Sequence, residues 1–166
     1  SNTLRGSMTL AGDSREVILG DYEYTIQNGD NSKTIRLSFM LLETPGLLTP
    51  ELIIRPEGMF DRLKAAIGFD DIDFESAEFS RRFHVSSTDK RFAWDLIDPR
   101  MMEFLMQGED VTLDLEAGWL CVVTGKRWKV DRFEPVLGYA EGFLSRWPDQ
   151  AVRQLKAGQY RQGDTA

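Results

Sequence analysis

The chain has 166 residues, 42% of them hydrophobic and 28% charged, with a formal net charge of −7. That length and mixture suit one globular domain that buries its own core, and they exclude disordered, collagen-like and disulfide-stapled classes. The single cysteine, Cys121, excludes an internal disulfide and a Cys-rich zinc site, and the acidic balance opposes nucleic-acid binding or polybasic lipid attachment, which need a basic face.

Residues 1 to about 15 are polar and aperiodic and read as a flexible arm, with Ser1-Asn2 resembling the remnant of a cleaved tag. On that reading the chain is a soluble piece of something longer. No apolar run approaches the roughly 20 residues of a membrane-spanning helix, so this segment is not expected to insert directly. From residue 16 alternation begins. Tyr22, Tyr24 and Ile26 fall on one side and Asp21, Glu23, Thr25 and Gln27 on the other. After the Asn28-Gly29-Asp30-Asn31 turn the pattern repeats, with Ile35, Leu37, Phe39 and Leu41 expected inward. Two such runs around a short Asn/Gly turn predict an antiparallel hairpin.

Leu52-Ile53-Ile54 predicts a third strand, ended by Pro56, and Met59, Phe60, Leu63, Ala66 and Ile67 are spaced for a helix stopped by Gly68. An acidic loop runs from Asp70 to Glu78. Phe79, Phe83 and Val85 alternate with Arg82, His84 and Ser86 and predict a strand. Ser87-Thr88-Asp89 supplies cap oxygens for a helix bearing Phe92, Ala93, Leu96 and Ile97, and Asp98-Pro99 starts another that runs to Gly108. A second hairpin follows, Val111 to Leu115 and Trp119 to Thr124 around Ala117-Gly118. Its return strand is apolar on both parities and reads as central, covered on both faces. A helix carrying Val136 to Trp147, a break at Pro148 and a short basic helix to about Ala157 complete the order. The absence of regular βαβ alternation predicts an α+β domain over 16–157: an antiparallel or mixed sheet of five to six strands with helices packed on it, then a polar tail over 158–166.

Catalytic patterns are sparse. His84, the only histidine, has no nucleophile or orienting carboxylate near it in sequence, and Cys121 sits among Leu120 and Val122 as small apolar filler. Read as an EF-hand from Asp71, the acidic loop places Ser76 at the sixth position and Arg82 at the twelfth, where glycine and glutamate are needed, so no metal is assigned. No GxGxxG, GxxxxGK[ST] or GxSxG occurs, and no cofactor is implied. Trp119 and Trp128 read as packing the second hairpin onto the C-terminal helix.

The phrases Glu75 to Val85, Asp89 to Ala93 and Asp98 to Glu103, with Leu52, Ile54, Pro56 and Glu57, resemble a group of uncharacterised bacterial proteins. The resemblance spans about residues 20–157. Its members often carry transmembrane helices ahead of the soluble domain, so it implies a cytoplasmic, membrane-attached context and carries no functional residue across. In the strand reading Arg81 shares an apolar face with Phe79 and Phe83, so it is expected to meet an acid such as Asp89 or Glu75. The function read from the sequence is a non-catalytic interaction or sensory module. The alternative is a small-ligand binder or unfamiliar enzyme using Arg81, Asp89 and an acidic partner such as Glu75. A protein partner or a homo-oligomer formed through strand edges or the Met101–Met106 helix is a further expectation; nucleic acid is not.

Overall fold

The computed structural model describes residues 3–10, 13–29, 31–44, 46–58 and 71–160. The helix expected over 59–67 lies outside them. The first hairpin forms where the alternation places it and is longer than the pattern suggests: β2 (Asp13–Asn28) and β3 (Asn31–Glu43) pair from Val17↔Leu42 to Asn28↔Asn31. Gly29 in the turn has φ +59°, a region that glycine enters without a Cβ penalty. Ahead of it β1 (Thr3–Leu10) pairs antiparallel with β2, from Leu10↔Asp13 to Thr3↔Gly20. The expected arm over 1–15 is therefore largely an edge strand. Thr3 to Ser7 are exposed; Leu4, Met8 and Leu10 share one parity, but Gly6 breaks the alternation, and Arg5 pairs with Glu16 across the ladder at 2.7 Å.

β4 (Leu52–Pro56) follows, then helix α1 (Ala77–Arg82), β5 (Phe83–Ser87), α2 (Lys90–Leu96), α3 (Pro99–Gln107), the hairpin β6 (Thr112–Glu116) and β7 (Trp119–Val123), α4 (Phe133–Ser145) and α5 (Asp149–Lys156). The strands form one antiparallel sheet in the order β1-β2-β3-β7-β6-β4-β5, seven where five to six were expected. The class is α+β. Residues 79–82 are helical where a strand was expected. The Ser76 hydroxyl accepts the Phe79 N–H at 3.2 Å, and Glu78 and Arg81-Arg82 stand at the helix ends that suit their charges. Phe79 and Phe83 are four apart, a spacing that fits both readings, and the cap decides between them. The caps at Asp89 and Asp98 form as expected: Asp89 accepts the N–H groups of Arg91 and Phe92, and Asp98 accepts that of Met101 at 2.8 Å.

Directly opposed residues in an antiparallel ladder share a face. One row runs Val17, Leu42, Leu120, Leu115 and Leu52, and the next Leu19, Met40, Val122, Leu113, Ile54 and Val85. These rows meet Phe79, Phe92, Leu96, Met101, Leu105, Phe143 and the other buried helical side chains in a single core. Each fully buried aliphatic or aromatic side chain contributes roughly 1.5–3 kcal/mol of transfer free energy. At Gly108 a Cβ would meet the ring of Tyr139, so a side chain there would displace the α3–α4 contact, where Phe104 stacks on Tyr139 at 5.0 Å. The tail is also tied down at its start. Tyr160 is buried, packs edge-on against Phe92 at 5.1 Å and donates to Asp95 at 2.8 Å, so the packed domain runs past 157.

The helical side takes Met40 and Leu42, whereas Phe39 and Leu41 were expected inward. Residues 39–42 are apolar on both parities, so the sequence alone does not say which side the helices cover. Ile35, Leu37, Phe39 and Leu41 all fall on the opposite face.

A candidate contact surface on the open face of the sheet

Strand β7 is central, as expected, but only one of its faces is closed. Leu120 and Val122 are buried at 0% exposure, whereas Trp119, Cys121 and Val123 are half-buried on the other side. There the register lines up Ile18, Leu41, Cys121, Asp114 and Ile53, and beside them Phe39, Val123 and Thr112; Ile53 and Thr112 are buried at 7% and 3% exposure, so the face is open over β2, β3 and β7 and covered toward β4. Among the described residues none of Ile18, Leu41, Phe39, Val123 or Trp119 joins the core under the helices. The face continues outward. Beyond the end of β7, residues 21–28 and 31–38 pair only with each other, a two-stranded arm of about 27 Å at roughly 3.4 Å per residue. On the open side of that arm Tyr22 and Tyr24 lie with ring centroids 5.6 Å apart, opposite Leu37 and Ile35. Its other side is polar: Arg36 pairs with Glu23 at 2.5 Å and Thr25 meets Thr34 at 3.2 Å.

An isolated two-stranded ribbon is marginal in water, so the arm needs a fixed base. Ser38, fully buried, donates to Asp21 at 2.5 Å and accepts the Trp128 N–H at 2.9 Å, while Arg127 pairs with Asp21 at 2.5 Å. These contacts hold the Asp21 carboxyl below its usual range, the Ser38 hydrogen bond first and Arg127 second. Trp128 packs edge-on against Phe133 at 5.2 Å and toward the core, as expected of it, whereas Trp119 stands on the open face.

The electrostatics of this face centre on Asp114, opposite Cys121 on one side and Ile53 on the other. Burial pushes its carboxyl up to about 6, helped by the charges of Glu116 and Glu51, and its Oδ1 is buried with no hydrogen-bond partner. Burial raises the Glu51 carboxyl too, with Glu116 second. The Cys121 thiol is pushed up to about 12, chiefly by burial and then by Asp114, so it stays protonated and unreactive at neutral pH.

A second polar cluster lies at the far edge. His84 Nδ1 is 2.8 Å from Asp71 Oδ2, and its Nε2 meets Glu57. Asp71 Oδ1 also accepts the Val85 N–H at 3.1 Å, and Ile72 N–H donates to the Val85 carbonyl at 2.8 Å, so this segment covers the outer edge of β5. The carboxylates that hold His84 are 13 and 27 residues away, and only the pairing of Pro56 with Phe83 brings Glu57 close. No local spacing signals that. Among the described residues no group of three or more His, Cys, Asp or Glu side chains is placed to hold a metal ion.

The sequence-derived set Arg81, Asp89 and Glu75 does not converge. Arg81 is exposed at the end of α1, and among the described residues no ion pair joins it to either acid. Asp89 caps α2 at the other end of β5, about 17 Å along the strand at roughly 3.3 Å per residue. Glu75 is exposed just ahead of α1. The expectation of a paired arginine rested on a strand face that the helix removes.

No family model matches the chain, and no curated protein does. A solved structure shares its fold: the crystal structure of the mycobacterial trehalose monomycolate transport factor A, TtfA, at a TM-score of 0.53 and 16% identity, over 81% of this chain and 75% of that one. No helix among the described residues is long and apolar enough to cross a membrane.

Proposed function

We propose that this chain is a non-catalytic interaction module whose contact surface is the open face of the sheet and its arm. The observation that carries this reading is the half-buried apolar stripe from Cys121 through Leu41 and Phe39 to Leu37, which ends on the exposed Tyr22 and lies outside the core that the helices close. Contiguous apolar surface on a soluble domain marks a contact site more often than it marks nothing. The arm supports the same reading, since its polar side is internally paired and its apolar side carries the exposed Tyr22. We place the module on the cytoplasmic side of a membrane-anchored bacterial protein. That context is supported by the resemblance of residues 52–57 and 75–103, and attachment would come from a segment outside this chain. The fold neighbour is a transport factor, which is compatible with a protein that works by contact.

The test uses Tyr22→Thr with Leu37→Thr, a cross-strand pair that copies the Thr25–Thr34 pair of the same arm. Surface changes of this kind move stability by about 0.5 kcal/mol or less. In native extracts the wild-type chain is expected to elute well above its 19.0 kDa and the double variant to shift toward that mass. Elution of both at the monomer mass contradicts the proposal.

A further inference from the structure

We propose that the open face docks a protein segment that carries basic side chains beside apolar ones, its basic groups lying along the Glu43, Glu116 and Glu51 border. This rests on the reading of that face as a contact surface and adds the chemistry of the partner. The register sets Glu43 and Glu116 on either side of Trp119, and Glu51, one residue ahead of β4, stands next to Glu116. Neighbouring strands are about 4.8 Å apart, so this border is a row of carboxylates flanking an aromatic ring.

Four acids elsewhere on the sheet and beside it are paired: Glu16 with Arg5 at 2.7 Å, Glu23 with Arg36 at 2.5 Å, Asp21 with Arg127 at 2.5 Å and Glu109 with Arg132 at 2.5 Å. Among the described residues no ion pair reaches Glu43, Glu51, Glu116 or Asp114, and the Asp114 Oδ1 is a buried acceptor without a donor. The charges that act on Asp114 are Glu116 and Glu51, both of its own sign. An apolar stripe bordered by unneutralised carboxylates is complementary to an amphipathic basic segment. Lysine or arginine there would meet the carboxylates, and the Trp119 ring would accept a cation over its face. A second copy docked face to face by a two-fold axis would instead bring another chain of net charge −7 against this one.

The experiment titrates the full chain with two synthetic peptides of equal length, one alternating leucine and lysine and one alternating leucine and glutamate. Sedimentation velocity follows the same samples. The lysine peptide is expected to bind and to weaken about fivefold as salt rises from roughly 50 to 200 mM. The triple variant Glu43→Gln, Glu51→Gln, Glu116→Gln should weaken it by about the same factor, and the glutamate peptide should not bind. The control triple Asp73→Asn, Glu75→Gln, Glu78→Gln removes as much charge from exposed positions in and just ahead of α1, off this face, and should leave binding unchanged. The inference is overturned if the two triples weaken binding equally, if both peptides bind alike, or if the chain dimerises and binds neither. It fails while the contact-surface reading survives if the Tyr22/Leu37 variant shifts in native extracts but the border triple has no effect. Both fail if neither does.

Discussion

Replacing Phe79 with alanine is expected to lower the stability of the domain by about 3–5 kcal/mol, the usual cost of emptying a large aromatic site in a closed core. Phe79 is at 0% exposure, with Phe83 stacked at 5.0 Å and Phe74 edge-on at 5.3 Å. It is the one buried residue of α1, a six-residue helix too short to persist without tertiary support. Its loss removes the anchor for the segment around Phe74, whose N–H and C=O are both held by Ser80 Oγ from the same helix. Leucine at this position keeps most of the apolar volume and should recover more than half of the loss. Urea denaturation of the three proteins measures this. An alanine variant within about 1 kcal/mol of wild type would mean that α1 does not close the core.

Asp114→Asn is expected to stabilise the fold at neutral pH and to change nothing in acid. The Asp114 carboxyl is raised in the folded chain from 3.8 to about 6, so the folded state resists its ionisation. Below about pH 4 both states hold the proton and no penalty exists. Between about pH 4 and 6 the unfolded chain releases the proton while the folded one keeps it, and the penalty grows with pH until it is complete above 6. At 1.36 kcal/mol per pKa unit the ceiling is roughly 3 kcal/mol, and partial solvent access reduces the expected gain to about 2 kcal/mol. For a domain of this size that is a rise of about 4–8 °C in Tm at pH 7.5. Thermal melts of both proteins at pH 3.5 and 7.5 measure it. An equal difference at the two pH values would mean that the gain is not the removal of a buried charge.

The strand and helix order was largely legible in the sequence because caps and alternation are local. Asp89, Asp98 and Gly29 each announced a boundary that the fold uses. What was hidden is what the register decides. Phe39 to Leu42 is apolar on both parities, so choosing Met40 and Leu42 for the core required knowing where the helices lie. β1 shows only a sparse alternation, Leu4, Met8 and Leu10 interrupted by Gly6, among polar residues that read as an arm. Phe79 and Phe83 satisfied two periodicities, and a single serine hydroxyl settled the matter by capping α1.

The candidate site was less legible still. Tyr22, Tyr24, Ile35, Leu37 and Phe39 were recognised as one apolar side of a hairpin, but an apolar side reads as core until the other side proves to be the covered one. Asp114 alternates with Leu113 and Leu115 as an ordinary polar strand position would, and only the cross-strand neighbours Cys121 and Ile53 reveal how it is desolvated. Arg81 was singled out from a strand face that does not exist, whereas the carboxylates around His84 come from segments remote in sequence.

The claim that the open face is the working surface is tested most directly by photo-crosslinking in the native cell. A benzophenone side chain would be placed in turn at Phe39 and Tyr22 on the open face, and at Trp94, which is 53% exposed on α2. Discrete covalent adducts from Phe39 and Tyr22, with none from Trp94, are the predicted result. Adducts from Trp94 alone, or from no position, would contradict it.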